Sequence, residues 1–350
     1  MMWLISFVVS IVSFLTTQHL PFEVSERVAS CHLPVVVSDE TGMVHLVYGQ
    51  DSTIFYAVAT KKRAQFSQPV AITTLSQLVA GAKRGPQIAS TEKYVVITAV
   101  NRAGNLFAYS LDRKSGRWSS AVRINDVPEV AKEGFQAIAS ASPNVFQATW
   151  LDLRADKRNK IVMATSRDGG RTWSANRVVY RSPSGTVCEC CKVSIAAKDN
   201  NVYIQFRNWL NSSRDLYLSH SADGGATFAP AQKLGSGTWQ LNACPMDGGA
   251  VTLSSSGQPL TVWRRERTLF TCRPGQSEQA IGTGRNVTAS TSPSDTAVVW
   301  DDDGMVWLKR NSNDPINLGK GQLPSVALTN QSAVCVWEMD GQVMTTTVHL

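Results

Sequence analysis

The chain has 350 residues, 43% hydrophobic and 17% charged, with a formal net charge of +7. That apolar share supplies a sizeable core and excludes a disordered chain. The basic balance suits acidic partners such as anionic glycans, and since no nucleic-acid motif accompanies it, no nucleic-acid role is read.

The first element is an apolar run over 3–15. It has the length of a signal-sequence core and is short for a membrane span. Residues 1–18 are therefore expected to be a signal peptide or short anchor, followed by a single domain over 19–350. The protein is expected to be secreted or periplasmic, and monomeric. Membrane contact would come only through an uncleaved leader.

Beyond the leader, β-branched and aromatic runs such as Tyr94-Val-Val-Ile-Thr98 and Val202-Tyr-Ile-Gln-Phe206 alternate with turn residues, which is the pattern of strands. Only 129–133 reads as a brief helical turn. Two segments nearly coincide, 55 residues apart: Ser166-Arg-Asp168-Gly-Gly170-Arg-Thr172-Trp173 and Ser221-Ala-Asp223-Gly-Gly225-Ala-Thr227-Phe228. A degenerate copy, Ser110-Leu-Asp112-Arg-Lys-Ser-Gly116-Arg-Trp118, precedes them. Each lies between two strand-like runs. Ser and Asp can bond nearby backbone amides, the glycines permit positive φ, and the Trp or Phe can fold back between sheets.

These segments resemble the Asp-box (BNR) repeats of sialidases and related β-propellers. The resemblance implies an all-β propeller of four-stranded blades, with each box between the third and fourth strands, on the face away from the active site. Counting first strands, near Pro34, Pro86, Phe135, Lys192, Gly249, Asn286 and Pro324, gives seven blades, with six as the alternative. The seventh has three strands, and a strand from about 21–28 is expected to complete it.

In that fold the loops into the first strands and out of the second strands share one face. Arg84, Arg207 and Arg264 fall there. Sialidases hold their sugar carboxylate with an arginine triad, so the resemblance makes these three, with Trp209 beside them, the substrate-binding candidates. Glu133, Asp152 and Asp301 are the carboxylate candidates for glycosidase chemistry. No tyrosine stands in a late rim loop to act as a sialidase nucleophile.

The same face gathers Cys188-Glu-Cys190-Cys191, Cys244, Met246 and His32. Three outcomes stand open: a disulfide joining Cys244 to one of the other three, a soft-metal site for copper or zinc, or a free or catalytic thiol. Cys272 and Cys335 read as core. Two functions follow. One is an exo-sialidase-type hydrolase of acidic sugars. The other is a non-catalytic glycan- or protein-binding propeller with a stapled or metal-binding cysteine face.

Overall fold

A computed structural model of the protein describes residues 22–23, 31–59, 65–81 and 83–349. The expected leader lies outside them. The described strands form seven antiparallel sheets, each a blade, and no helix is present among these residues. The inner strands are Cys31–Ser38, Gln87–Ser90, Gln136–Ser142, Ser194–Lys198, Ala250–Leu253, Arg285–Thr291 and Gln322–Leu328. The seven-blade count holds and six is excluded. Within each blade the strands follow chain order outward, except that a short Arg117–Trp118 pairing joins the second sheet and Phe22–Glu23 is outermost in the last.

The last blade closes as expected. Phe22–Glu23 pairs antiparallel with Gln342–His349, Phe22 opposite Thr345 and Glu23 opposite Met344. Chain start and chain end thus share one sheet, which covers an edge that would otherwise template pairing with another chain. The ring also closes in its core: Val36, Leu46 and Tyr48 of the first blade pack with Ala327, Val334 and Val343 of the seventh.

The cores lie between blades rather than within one sheet, so strands are buried on both faces. In Val145–Asp152 only the first residue is less than fully buried. Serines stitch neighbouring inner strands together: Ser194 Oγ accepts from Val251 N at 3.1 Å, Ser325 Oγ from Val36 N at 3.1 Å, and Ser290 Oγ from Leu328 N at 3.1 Å.

Both repeat turns adopt one geometry, between third and fourth strands as the resemblance implied. Ser166 Oγ accepts from Gly170 N at 2.8 Å, and Asp168 takes Thr172 N at 2.9 Å and Thr172 Oγ1 at 2.6 Å. Ser221, Gly225, Asp223 and Thr227 repeat these bonds at 2.9, 2.9 and 2.6 Å. Trp173 and Phe228 each pack against the core between their own blade and the one before. These turns lie at the opposite end of the blades from the loops that lead into the inner strands.

The helical turn read over 129–133 is absent. Glu129 has φ of 59°, and Ala131 N donates to Gly104 O at 2.9 Å, so the segment spends its amides on the neighbouring blade.

At the repeat-turn end, Asp39 ties the first two blades. Its Oδ1 accepts from Thr41 N at 2.9 Å and Met43 N at 3.1 Å, and its Oδ2 meets His45 Nε2 at 3.1 Å and Arg113 Nη1. Burial alone would raise this carboxyl, but the hydrogen bonds of His45 and Thr41 and the charges of His45 and Arg113 hold it well below the usual range. A depressed carboxylate contributes stability that is present above its unfolded pKa of about 3.9 and is lost as pH falls through the folded value. Asp39→Asn is accordingly expected to cost about 2 kcal/mol near neutral pH. The gap between variant and parent should narrow below about pH 4. Urea unfolding at both pH values measures it, and a gap independent of pH would remove the charge from the explanation.

Candidate functional site

The inner strands surround an axial cavity of about 380 Å³. Five inner strands have, in their first residues or in the loop before them, a non-glycine residue in the left-handed region: Leu33 (φ 50°), Lys83 (69°), Met246 (53°), Asn286 (55°) and Leu323 (55°). All five line the cavity. Each costs on the order of 1 kcal/mol. At Leu33, Asn286 and Leu323 the residue sits in a break of strand register, a bulge that turns the chain toward the axis.

Carboxylates hold three of these bulges. Leu33 N donates to Glu338 Oε2 at 3.4 Å, Asn286 N to Asp247 Oδ2 at 3.0 Å, and Leu323 N to Asp301 Oδ1 at 2.9 Å. In every case the acid comes from the preceding blade of the ring. Asp301 also accepts from Asn286 Nδ2 at 2.6 Å. Burial pushes its pKa up, opposed by the Asn286 and Leu323 hydrogen bonds and by the charge of Lys83. Asp301, a catalytic candidate from sequence, is thus placed as an interblade latch. So are Asp247 and Glu338, whose roles sequence reasoning missed.

Asp152 is also occupied. Its Oδ1 takes Arg154 N and Nε, both at 2.8 Å, and its Oδ2 takes Trp150 Nε1 at 2.7 Å and Arg154 Nη2 at 3.0 Å. The carboxylate is fully buried and its lone pairs are filled, which suits a structural lock and leaves no oxygen for a substrate. Glu133 accepts from Asn159 Nδ2 at 3.3 Å, and its pKa is raised by burial first, with the nearby Glu189 adding to it.

The three arginines do not form one clamp. Arg207 is 2% exposed, and its guanidinium donates to three backbone carbonyls: Asp247 O at 2.9 Å, Arg264 O at 2.9 Å and Arg214 O. Its fork is filled by the protein itself. Arg264 pairs with Asp247 Oδ2 at 3.3 Å and donates to Pro245 O at 2.8 Å. Both arginines lie against the Trp239 ring. Arg84 lies over Phe135, 4.1 Å from the ring centroid, and its Nε bonds Glu133 O. Trp209 is exposed, with Arg214 over its ring.

The cations that face the cavity are others. Lys83 and Lys192 line it. Lys83 donates to Met246 O. Burial lowers its pKa, and Asp247, Arg264, Asp301 and Arg285 are the charges nearest it. Lys192 also has its pKa lowered by burial, to about 8. Its ammonium has no hydrogen-bond acceptor among the described residues. Arg285 is exposed at the same rim. Lys192 directly follows Cys191 at the entry to an inner strand, which is the sequence signal for its place on the functional face.

The cysteine loop is buried, with Cys188, Cys190 and Cys191 at 1%, 6% and 1% exposure. Cys188 Sγ lies 3.6 Å from Cys190 Sγ and 3.4 Å from Cys191 Sγ, and Arg214 Nη1 reaches Cys188 Sγ at 3.0 Å. Hydrogen bonds from the other two thiols, with Arg214 and Arg207 behind them, pull the Cys188 pKa down, while burial pushes that of Cys191 up. Met246 packs on the three, and exposed Cys244 stands beside Cys190. No sulfur–sulfur bond joins these residues; all seven cysteines are free thiols. His32 is not part of this group. It faces Glu338, Nδ1 to Oε1 3.6 Å, and Cys31 is buried in the first blade's core. Cys272 and Cys335 are buried, as expected.

The loop is pinned by glycine. A Cβ on Gly248 would lie 1.7 Å from Lys192 O, so the backbones of the two loops touch. Gly249, at φ 66°, would put a Cβ 2.2 Å from Val262 O.

No protein-family model and no curated protein matches the sequence. Solved structures share the fold at low identity. An ulvan lyase of polysaccharide lyase family 25, bound to a glucuronate–sulfated rhamnose unit, is similar with a TM-score of 0.57 and 10% identity, over 92% of this chain and 95% of that one. A Hadza microbial sialidase gives 0.54 and 13%, over 92% of this chain. The match covers 66% of that sialidase's length. The SapL1 lectin with α-methyl fucoside gives 0.53 and 13%, over 84% and 97%. The chain therefore shares the β-propeller fold of these proteins.

Proposed function

We propose that the axial cavity binds an acidic saccharide without cleaving it, and that the protein acts outside the cytoplasm after export by its apolar leader. The observation that carries this reading is Lys192, which lines the cavity and whose ammonium has no acceptor among the described residues. Lys83 on the wall and Arg285 on the rim extend a cationic surface toward the mouth. The volume of about 380 Å³ suits a ligand the size of one or two sugar rings. Sugar-bound neighbours of the same fold, a uronate-processing lyase and a lectin, are consistent with a glycan partner.

The hydrolase reading draws less support. Arg207 and Asp152 are saturated by protein groups, and Asp301 holds a bulge. None of the tyrosines lines the cavity. Tyr48 is buried, with its pKa pushed up to about 12 by burial.

Calorimetric titration with N-acetylneuraminate, glucuronate and neutral glucose tests the proposal. Acidic sugars are expected to bind and glucose not. Lys192→Met should weaken acidic-sugar binding by roughly tenfold or more, the worth of one charge-assisted hydrogen bond. Equal affinity for neutral sugar, or unchanged affinity in Lys192→Met, would overturn the site. Release of sialic acid from a fluorogenic sialoside would overturn the non-catalytic reading.

A further inference from the structure

A second site adjoins the cavity and rests on different atoms. We propose that Cys188, Cys190 and Cys191 bind one thiophilic d10 metal ion, Cu(I) or Zn(II), behind Lys192 and Met246 of the cavity lining.

The geometry is close to that of a bound ion. The three sulfurs all lie within 4.8 Å of one another, with two separations of 3.6 and 3.4 Å. Metal–sulfur bonds of about 2.3 Å place the sulfurs of a four-coordinate ion roughly 3.8 Å apart. Cys188 needs to part from each of the other two sulfurs by only a few tenths of an ångström to admit it. They come from one loop, so little chain must be ordered on binding, and the contact of Gly248 with the Lys192 backbone fixes that loop in advance.

Charge and burial fit as well. Three thiolates around a mono- or divalent ion leave a negative complex, which is costly in a buried place unless it is compensated. Arg214 Nη1, 3.0 Å from Cys188 Sγ, supplies a positive donor, and the buried Arg207 guanidinium lies close behind. The Met246 side chain closes an apolar side. Loading displaces the thiol protons to solvent. A disulfide uses the cluster poorly: adjacent Cys190 and Cys191 cannot bond without strain, and any one bridge leaves a third buried thiol over.

Coordination number separates the two ions. Three sulfurs alone suit Cu(I), whereas Zn(II) takes a fourth donor, and exposed Cys244 beside Cys190 is placed to give it.

The experiment titrates the reduced full-length protein anaerobically with Cu(I) against bathocuproine disulfonate, and separately with Zn(II) against a colorimetric chelator. One equivalent is expected to be retained. X-ray absorption of the loaded wild-type protein should show sulfur neighbours at about 2.3 Å. The paired substitution Cys188→Ser with Cys191→Ser should abolish retention, and Cys272→Ser, in another blade, should not. Cys244→Ser leaves a three-sulfur Cu(I) site intact and loses a four-sulfur Zn(II) site; either result supports the proposal and assigns the ion. Three results would overturn it: no ion kept by the reduced wild type, a first shell of nitrogen and oxygen only, or full stoichiometry in the paired variant. The absorption spectrum needs no variant, so misfolding of a cysteine substitution does not remove the test.

Discussion

Arg207→Ala is expected to lower the free energy of unfolding by about 4 kcal/mol, the usual consequence of breaking a buried charged network. The side chain is 2% exposed and donates to three carbonyls from three different segments: Arg214 in its own blade, Asp247 in the loop to the next, and Arg264 on that next blade's second strand. Truncation orphans two buried acceptors, Asp247 O and Arg214 O, and the part-buried Arg264 O, and each orphaned buried group costs about 1–3 kcal/mol. It also removes the contact with the Trp239 ring. Arg207→Lys should recover only part of the loss, since a single ammonium cannot span a fork of three acceptors. Urea unfolding followed by tryptophan fluorescence gives the numbers. A variant that unfolds at the parent's urea midpoint but no longer binds acidic sugar would return Arg207 to the ligand and remove it from the frame. For a protein of ordinary stability, a loss of this size consumes much of the folding free energy.

Arg207 also shows where sequence reasoning stops. Its position after a second strand, and so on the functional face, was legible, because strand alternation and turn residues fix which loops share a rim. The same logic found every inner strand, the seven-blade count, the closure of the last blade near Phe22, and the Asp168 and Asp223 turns. Apart from the closure, which follows from a last blade one strand short, these depend on neighbours within one blade, a few residues to a few tens away. The direction of the Arg207 side chain depends on carbonyls of the following blade, up to 57 residues on. No local pattern carries that.

The carboxylates repeat the lesson. Trp150-Leu-Asp152, Trp300-Asp301 and Trp337-Glu338 look alike in sequence, an acid following a buried tryptophan at the end of a second strand. Yet Asp152 is closed by its own Arg154, while Asp301 and Glu338 reach across to the next blade's bulge. The distinction lies in Arg154, which stands two residues beyond Asp152 and offers a five-donor fork that the other two loops lack. An acid followed at that spacing by arginine is a signal for a closed lock that the sequence did contain. For the latches the signal was weaker. A bulge at Leu33 or Leu323 puts a bulky residue at positive φ, which no propensity rule anticipates.

Gly248→Ala is expected to cost on the order of 3 kcal/mol, at the upper end for an added methyl. Its Cβ would stand 1.7 Å from Lys192 O, 2.6 Å from Lys192 C and 2.9 Å from Lys192 N, all backbone atoms, so no side-chain rotation relieves the clash. The loop into the fourth blade must move away from the loop into the fifth. Gly257→Ala is the matched control. Gly257 has φ of 77° and meets nothing nearer than Lys198 Cδ at 4.0 Å, so its substitution carries only the backbone term of about 1 kcal/mol. Gly248 is not among the positive-φ glycines, so its own loss, read from the urea midpoint, reports the contact between loops, while Gly257→Ala reports backbone strain alone. The same displacement shifts Cys191 and Lys192, because they are joined through the backbone that the methyl strikes. Gly248→Ala should therefore weaken both metal retention and acidic-sugar binding, whereas Gly257→Ala should change neither. If Gly248→Ala lost stability but kept both binding activities, the two loops would be tolerating their separation, and the preordering assigned to this glycine pair would not be what holds the thiols and the lysine in place.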